Sequence, residues 1–136
     1  MRIAVKAALA DVRKKRILVI RRSEGENWSK ELWDLVGGGV EEGELLYDSL
    51  VRETKEETGI KLGKSVKMYP LKLWIVPERD LVGITFLIPL DEEKKVFLSE
   101  EHCEAKWIKR DEIKNLKAHK GIIEDLRLAF KMLERL

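Results

Sequence analysis

The sequence predicts one mixed α/β domain. Three features predict it: strand-like alternation along much of the chain, two stretches of helical periodicity, and no repeat or linker to divide them. Ile3, Val5, Ala7 and Leu9 alternate with Ala4, Lys6, Ala8 and Ala10, the period of two that marks a strand. Arg13, Lys14 and Lys15 read as a polar turn, and Ile17 to Ile20 as a buried strand ending in Arg21 and Arg22. A polar loop over residues 23 to 31 carries Trp28, a short strand is expected at Leu32 to Val36, and the run Gly37-Gly38-Gly39 follows. Leu46, Leu50, Val51 and Thr54 recur at spacings of three and four, which predicts a helix from Leu45 to Thr58, with Gly59 placed to end it in the left-handed conformation. Strands are expected at Val66 to Val76, Val82 to Leu90 and Ala105 to Lys109, the first two joined by the turn Pro77-Glu78-Arg79-Asp80. Asp111 begins a helical turn, and Ile122 to Leu136 form a last amphipathic helix with Ile122, Ile123, Leu126, Ala129, Phe130 and Leu133 on one side.

Composition narrows the function classes. A chain of 136 residues with 44% hydrophobic content can bury a core without disulfides or a structural metal. Its 27 basic and 25 acidic residues nearly cancel to +2, which argues against nucleic acid as the main partner, because such binders carry a strong basic excess. Cys103 is the one cysteine, so an intrachain disulfide is impossible and a reducing, cytoplasmic setting is expected. A lone cysteine reads more simply as a small buried hydrophobe than as a nucleophile. Met1 to Val12 does not read as a signal peptide, since Lys6 and Asp11 interrupt its apolar run, and no stretch reaches the ~18 residues of a membrane helix. The absence of Gln, with abundant Lys and Glu, is a composition seen in hyperthermophile proteins.

Glu53, Glu56 and Glu57 fall within one predicted helical turn, fanned over about 100° of its surface. Like charges at spacings of three and four cost a helix a few tenths of a kcal/mol per pair, which a hard divalent cation with oxygen ligands would offset. Taken alone, such a cluster in a chain this rich in Glu and Lys is more simply a solvated helix face. The surrounding spacing changes that reading. Gly38, Glu44, Arg52, Glu53, Glu56, Glu57, Gly59 and Ile60 stand where the pattern G-x5-E-x7-R-E-U-x-E-E-x-G-U requires them, with U a bulky aliphatic residue. Eight of nine specified positions agree across 23 residues, and the departure, Thr54, is β-branched and of Val-like size.

That pattern resembles the signature of the Nudix hydrolases, of the MutT-like and ADP-ribose pyrophosphatase-like kind. The resemblance implies a mixed β-sheet sandwiched between helices (α/β/α) and a loop–helix–loop whose glutamates bind magnesium, with manganese as a substitute, beside a bound diphosphate. It implies that Glu53, Glu56 and Glu57 hold the metal, that the carbonyl matching Gly37 joins them, and that Gly38 lets backbone approach the phosphates. Arg52 then orients Glu56 and keeps the cluster ionised, while Glu44 holds the loop or positions water. Family members commonly carry Leu-Pro-Gly-Gly where this chain has Leu35-Val36-Gly37-Gly38; losing the proline loosens the loop and removes no ligand. Members also add a carboxylate from a loop shortly before a strand containing Trp, which makes Glu101 the first choice here for a further ligand or general base and Glu104 the second, with His102 as a phosphate contact or, more simply, a loop cap.

Substrate contacts are expected among Arg21 or Arg22 for a phosphate, Trp28, Trp33, Trp74 and Phe86 for stacking on a base, and His119 for a base edge, with a surface or capping role as its plainer reading. The reaction implied is attack of water on phosphorus, where positioning and charge neutralisation matter more than covalent help. A nucleoside-triphosphate pyrophosphatase that cleanses nucleotide pools is the first expectation for this small chain, acting as a monomer or homodimer on a small nucleotide derivative. ADP-ribose hydrolysis, hinted at by Pro77 seventeen residues past the box, and dinucleoside polyphosphate hydrolysis are alternatives. From another class, a nucleotide sensor without catalysis would usually lack box glutamates, and none is missing here.

Overall fold

The computed structural model describes residues 1–23 and 31–136, so Trp28 lies outside the described residues. The elements are β1 (Arg2–Asp11), β2 (Arg16–Arg22), β3 (Trp33–Asp34), β4 (Val36–Gly39), α1 (Leu46–Thr58), β5 (Tyr69–Val76), β6 (Leu81–Leu90), β7 (His102–Ile108) and α2 (Lys120–Leu133), with 3-10 turns at Pro77–Arg79 and Arg110–Asn115. All seven strands join one sheet, ordered β3-β2-β1-β6-β5, with β4 added on β1 and β7 on β2. The sheet is mixed: β1 and β6 run parallel from Arg2↔Leu81 to Asp11↔Leu90, and the other pairs are antiparallel.

The second edge of β1 is divided. β2 pairs with it at Ala10 and Asp11, where Asp11 Oδ1 accepts the amides of Arg13 (2.9 Å) and Lys14 (3.2 Å) and closes the turn. β4 takes over at Ala4 to Ala7, which lays the glycine run against the start of β1. The expected strand at Leu32 to Val36 is therefore two: the chain leaves β2 after Asp34 and joins β1 from Val36. Val36, where the family commonly has proline, pairs with Ala7 and is fully buried, a ladder position where proline could donate no hydrogen bond.

Alternation along β1 builds two cores. Val5, Ala7 and Leu9 join Leu18, Ile20, Val36 and Ile88 under Leu50 of α1. Ala8 and Ala10 join Ile17, Val19 and Leu87 under Leu126, Ala129, Phe130 and Leu133 of α2. The sheet is thus sandwiched between helices, as expected. Truncating Phe130, which is 2% exposed, to alanine would cost about 3–5 kcal/mol.

Several boundaries differ from expectation. β5 begins at Tyr69, not Val66, and carries a register shift between Pro70 and Lys72. β7 begins at His102 and ends at Ile108, pairing with β2 along nearly all of its length. α2 spans Lys120–Leu133, starting before its apolar stripe. Cys103 is exposed, not buried, because His102 takes the inward position at the start of β7. Among the described residues no helix is long and apolar enough to cross a membrane.

Candidate functional site

α1 buries Leu50, Thr54, Glu57 and Thr58, a stripe at spacings of three and four that takes Glu57 inward with the apolar residues. Gly59 ends the helix in the left-handed conformation (φ 75°), donating its amide to Lys55 O at 2.9 Å. Glu57 meets the glycine strand there: the Gly37 amide donates to Glu57 Oε1 at 2.8 Å. This close approach is why glycines are needed. A Cβ on Gly37 would lie 2.1 Å from the Val5 carbonyl oxygen, and one on Gly38 would lie 2.5 Å from the Glu53 carboxylate.

Arg52 ties the loop before α1 to the glutamates. Its Nε and Nη2 donate to Glu44 Oε2 and Oε1 at 2.8 and 2.9 Å, a bidentate pair. Nη2 also reaches Gly39 O at 3.0 Å, and Nη1 reaches Glu53 Oε1 at 2.8 Å. Glu56, the partner expected for Arg52, stands at the longer distance of 3.4 Å and is exposed. Both Glu44 oxygens are occupied by Arg52, whose guanidinium holds that carboxyl down at about 2. Glu44 thus fits the loop-holding role better than that of a proton acceptor.

The buried carboxylates behave differently. Burial pushes the Glu57 carboxyl up to about 8, with Glu53 adding to the effect and the Gly37 amide opposing it. Burial also raises Glu53, against the Arg52 hydrogen bond. A loop from the far side completes the group: the amides of Phe97 and Ser99 bond the α1 carbonyls of Thr58 (2.8 Å) and Glu57 (3.3 Å) and bring Glu101 and His102 to Glu57. One ligand atom from each of Glu57, Glu101 and His102 lies within 4.8 Å of the others. The fit to a divalent cation is direct. Oxygen donors converge beside glycine backbone, and a 2+ charge would relieve the burial cost that holds Glu57 protonated.

A cleft of about 1310 Å³ includes Gly37, Gly38, Glu44 and Glu57 in its wall, together with Arg22, Trp74, His102 and His119. The Trp74 indole lies on Gly83, where a Cβ would come within 2.1 Å of the ring. Its Nε1 donates to Thr85 Oγ1 (3.1 Å), which donates to the buried Asp125 carboxylate (2.7 Å), itself paired with Lys72 at 2.5 Å. The other aromatic candidates are placed differently. Trp33 is 8% exposed in the α2-side core, with Lys106 Nζ 4.9 Å from its ring, and Phe86 packs against the α1-side core. Arg21 pairs with Glu104 at 3.2 Å, which engages both residues away from the cleft wall. His119 precedes α2 and makes no capping bond with its side chain, contrary to a capping role.

Residues 1–126 match the family described as NUDIX domain. The chain belongs to the Nudix family. Hydrolysis of pyrophosphate bonds in nucleotide derivatives, with divalent metal ions, is general for Nudix hydrolases. The NAD-capped RNA hydrolase NudC of Mannheimia succiniciproducens is 33% identical over 81 residues, 60% of this chain and 29% of that protein. The protein of the same description from Mycobacterium tuberculosis is 33% identical over 87 residues, 64% and 27% respectively. The chain therefore spans under a third of the length of these relatives. Among solved structures, the MutT protein from Methanosarcina mazei Go1 has a TM-score of 0.75 at 28% identity, covering 98% of this chain and 93% of that one. An Ap4A hydrolase binary complex from C. elegans, at 21% identity, has a TM-score of 0.79 over 98% and 99% of the two chains and shares the fold.

Within this Nudix chain Gly37 and the box residues Gly38, Glu44, Arg52, Glu53 and Glu57 are brought together, and Glu101 joins Glu57 from a separate loop. Sequence reasoning undervalued His102, placed as a loop cap. Ser99 Oγ does lie 3.4 Å from its Nδ1, yet its other nitrogen faces Glu57. It also missed the pair of Lys6 with Asp34 (2.8 Å), both in the cleft wall, and the buried Asp125 behind Trp74. Lys6 gave one signal, a charge inside an otherwise apolar strand; Asp125, within an amphipathic helix, gave none.

Proposed function

We propose that this chain, acting as one domain, hydrolyses a phosphoanhydride bond in a small nucleotide, with a nucleoside triphosphate as the first substrate and magnesium as the first cation. What supports the reading is the approach of Glu57 and Glu53 to the Gly37–Gly38 backbone, with Glu101 and His102 beside Glu57, at the wall of a cleft that also contains an indole fixed in place. The residues that would hold the cation are Glu53, Glu56, Glu57 and Glu101 with the Gly37 carbonyl. When bound, it supplies charge neutralisation for the phosphate oxygens and a lower pKa for coordinated water.

The remaining roles belong to the chain. Arg52 positions Glu53 through its 2.8 Å bond and ties Gly39 to Glu44, so the glycine backbone and the helix carboxylates keep one spacing. Glu101 is exposed beside Glu57 and is the proton acceptor for the attacking water, since Glu44 is occupied by Arg52. Arg22 supplies a cation in the cleft wall for a phosphate, Trp74 offers a stacking surface for a base, and His119 offers a hydrogen-bonding edge.

A second reading has specific support. The sequence relatives are described as NAD-capped RNA hydrolases, and the cleft exceeds the ~300–1000 Å³ usual for small ligands, so a dinucleotide diphosphate would fit. Incubating the protein with magnesium and a panel of nucleoside triphosphates, ADP-ribose, NAD and dinucleoside polyphosphates tests both. Monophosphate plus pyrophosphate from a triphosphate supports the first reading, and two monophosphates from NAD support the second. No turnover of any compound refutes both.

A further inference from the structure

His102 sits at the start of β7 with a side chain only 2% exposed, beside Glu57 at 10%. Its placement is determined by backbone. The His102 amide donates to Ser99 O at 3.2 Å, and the Ser99 amide donates to Glu57 O at 3.3 Å, so strand and helix are tied together at this point. Glu57 Oε1 is taken by the Gly37 amide, which leaves Oε2 turned toward His102 Nε2. The two atoms stand 4.0 Å apart, too far for a hydrogen bond.

An imidazole and a carboxylate joined by a shared proton would stand about 2.8 Å apart, whereas here Nδ1 lies 3.4 Å from Ser99 Oγ and Nε2 faces Glu57 across the open gap. Two metal bonds of about 2.1 Å each place their donor atoms roughly 3.0–3.4 Å apart at octahedral or tetrahedral angles, so a closure of about 0.6–1 Å would let one cation take both atoms. Glu101, which is exposed, supplies a third donor within 4.8 Å.

We propose that His102 is a nitrogen ligand in the cation site, so that a first-row transition ion such as Mn²⁺ or Co²⁺ gains a bond there that Mg²⁺ does not. The proposal rests on the reading that Glu57 and Glu101 hold a cation, and it adds a donor that the box does not supply. Mg²⁺ takes oxygen ligands and keeps its waters, whereas the affinity of a nitrogen-containing site for first-row transition ions rises from Mn²⁺ to Co²⁺.

The test is electron spin-echo spectroscopy of the full chain loaded with Mn²⁺, beside calorimetric titration with Mn²⁺ and with Mg²⁺. Wild-type protein should show a ¹⁴N coupling that changes when histidine is labelled with ¹⁵N. His119→Gln should keep that coupling; if His102→Gln fails to fold, this variant alone makes the assignment, because the chain has 2 histidines. A folded His102→Gln should lose the coupling and bind Mn²⁺ about tenfold more weakly, with Mg²⁺ affinity changed by less than about threefold. Mn²⁺ bound with no nitrogen coupling would overturn the proposal and leave the hydrolase reading standing. Failure of both ions to bind would overturn the cation site itself.

Discussion

Glu57→Gln separates the chemistry of the site from the stability of the fold. The carboxyl is 8% exposed, accepts the Gly37 amide, and is pushed by burial from an ordinary 4.5 up to about 8. A raised pKa means the fold favours the protonated form. That contribution to stability is complete below pH 4.5, declines as pH rises toward 8, and is gone above it. At ~1.4 kcal/mol per pH unit, ionising Glu57 inside the metal-free fold costs at most about 4–5 kcal/mol. Glutamine keeps an acceptor for the Gly37 amide and carries no charge, so the variant should escape that cost. In EDTA, melting curves of wild type and variant should coincide near pH 5 and separate by on the order of 10 °C at pH 9, the variant being the more stable. The same substitution removes a carboxylate that would hold the cation, so turnover should fall by orders of magnitude. Parallel melting curves from pH 5 to 9 would show that Glu57 ionises easily in the fold and would sink the reasoning about its burial.

Three further substitutions probe other parts of the site. Gly38→Ala would place a Cβ 2.5 Å from the Glu53 carboxylate, so kcat should fall about 100-fold or more with the melting temperature little changed; unaltered kinetics would mean that the Glu53 position is unimportant. Thr54→Val removes a buried hydroxyl that has no hydrogen-bond partner among the described residues, and should raise stability by about 1–2 kcal/mol in urea unfolding; a loss of stability would mean the hydroxyl is satisfied. Trp74→Leu should raise KM by about 10- to 100-fold with kcat nearly unchanged, as expected for lost base stacking, and an unchanged KM would remove Trp74 from the substrate site.

The helix was legible because its signals are local: a 3.6-residue stripe and a glycine at the end, both readable within one turn. The glycine strand was not, because β4 exists only through its pairing with β1, a long-range event that leaves no periodicity in Gly37-Gly38-Gly39. The box pointed to Glu53, Glu56 and Glu57 as equals, and burial distinguishes them. Glu57 shares the stripe of Leu50 and Thr54, Glu53 is half-buried against Gly38, and Glu56 is exposed. Trp33, Trp74 and Phe86 were likewise indistinguishable as residues. The sheet sends Trp33 into the α2-side core and Phe86 to the α1 side, while Gly83 leaves room for the Trp74 ring to lie flat. His102 follows the same logic. On β7 one residue must face inward at the strand start, and Cys103 beside it faces out, so a one-residue slip of register would exchange a thiol for an imidazole next to Glu57. What the site presents therefore depends on the register of β7 against β2 and on the tie of Ser99 to the Glu57 carbonyl, both long-range pairings that leave no periodicity in the sequence.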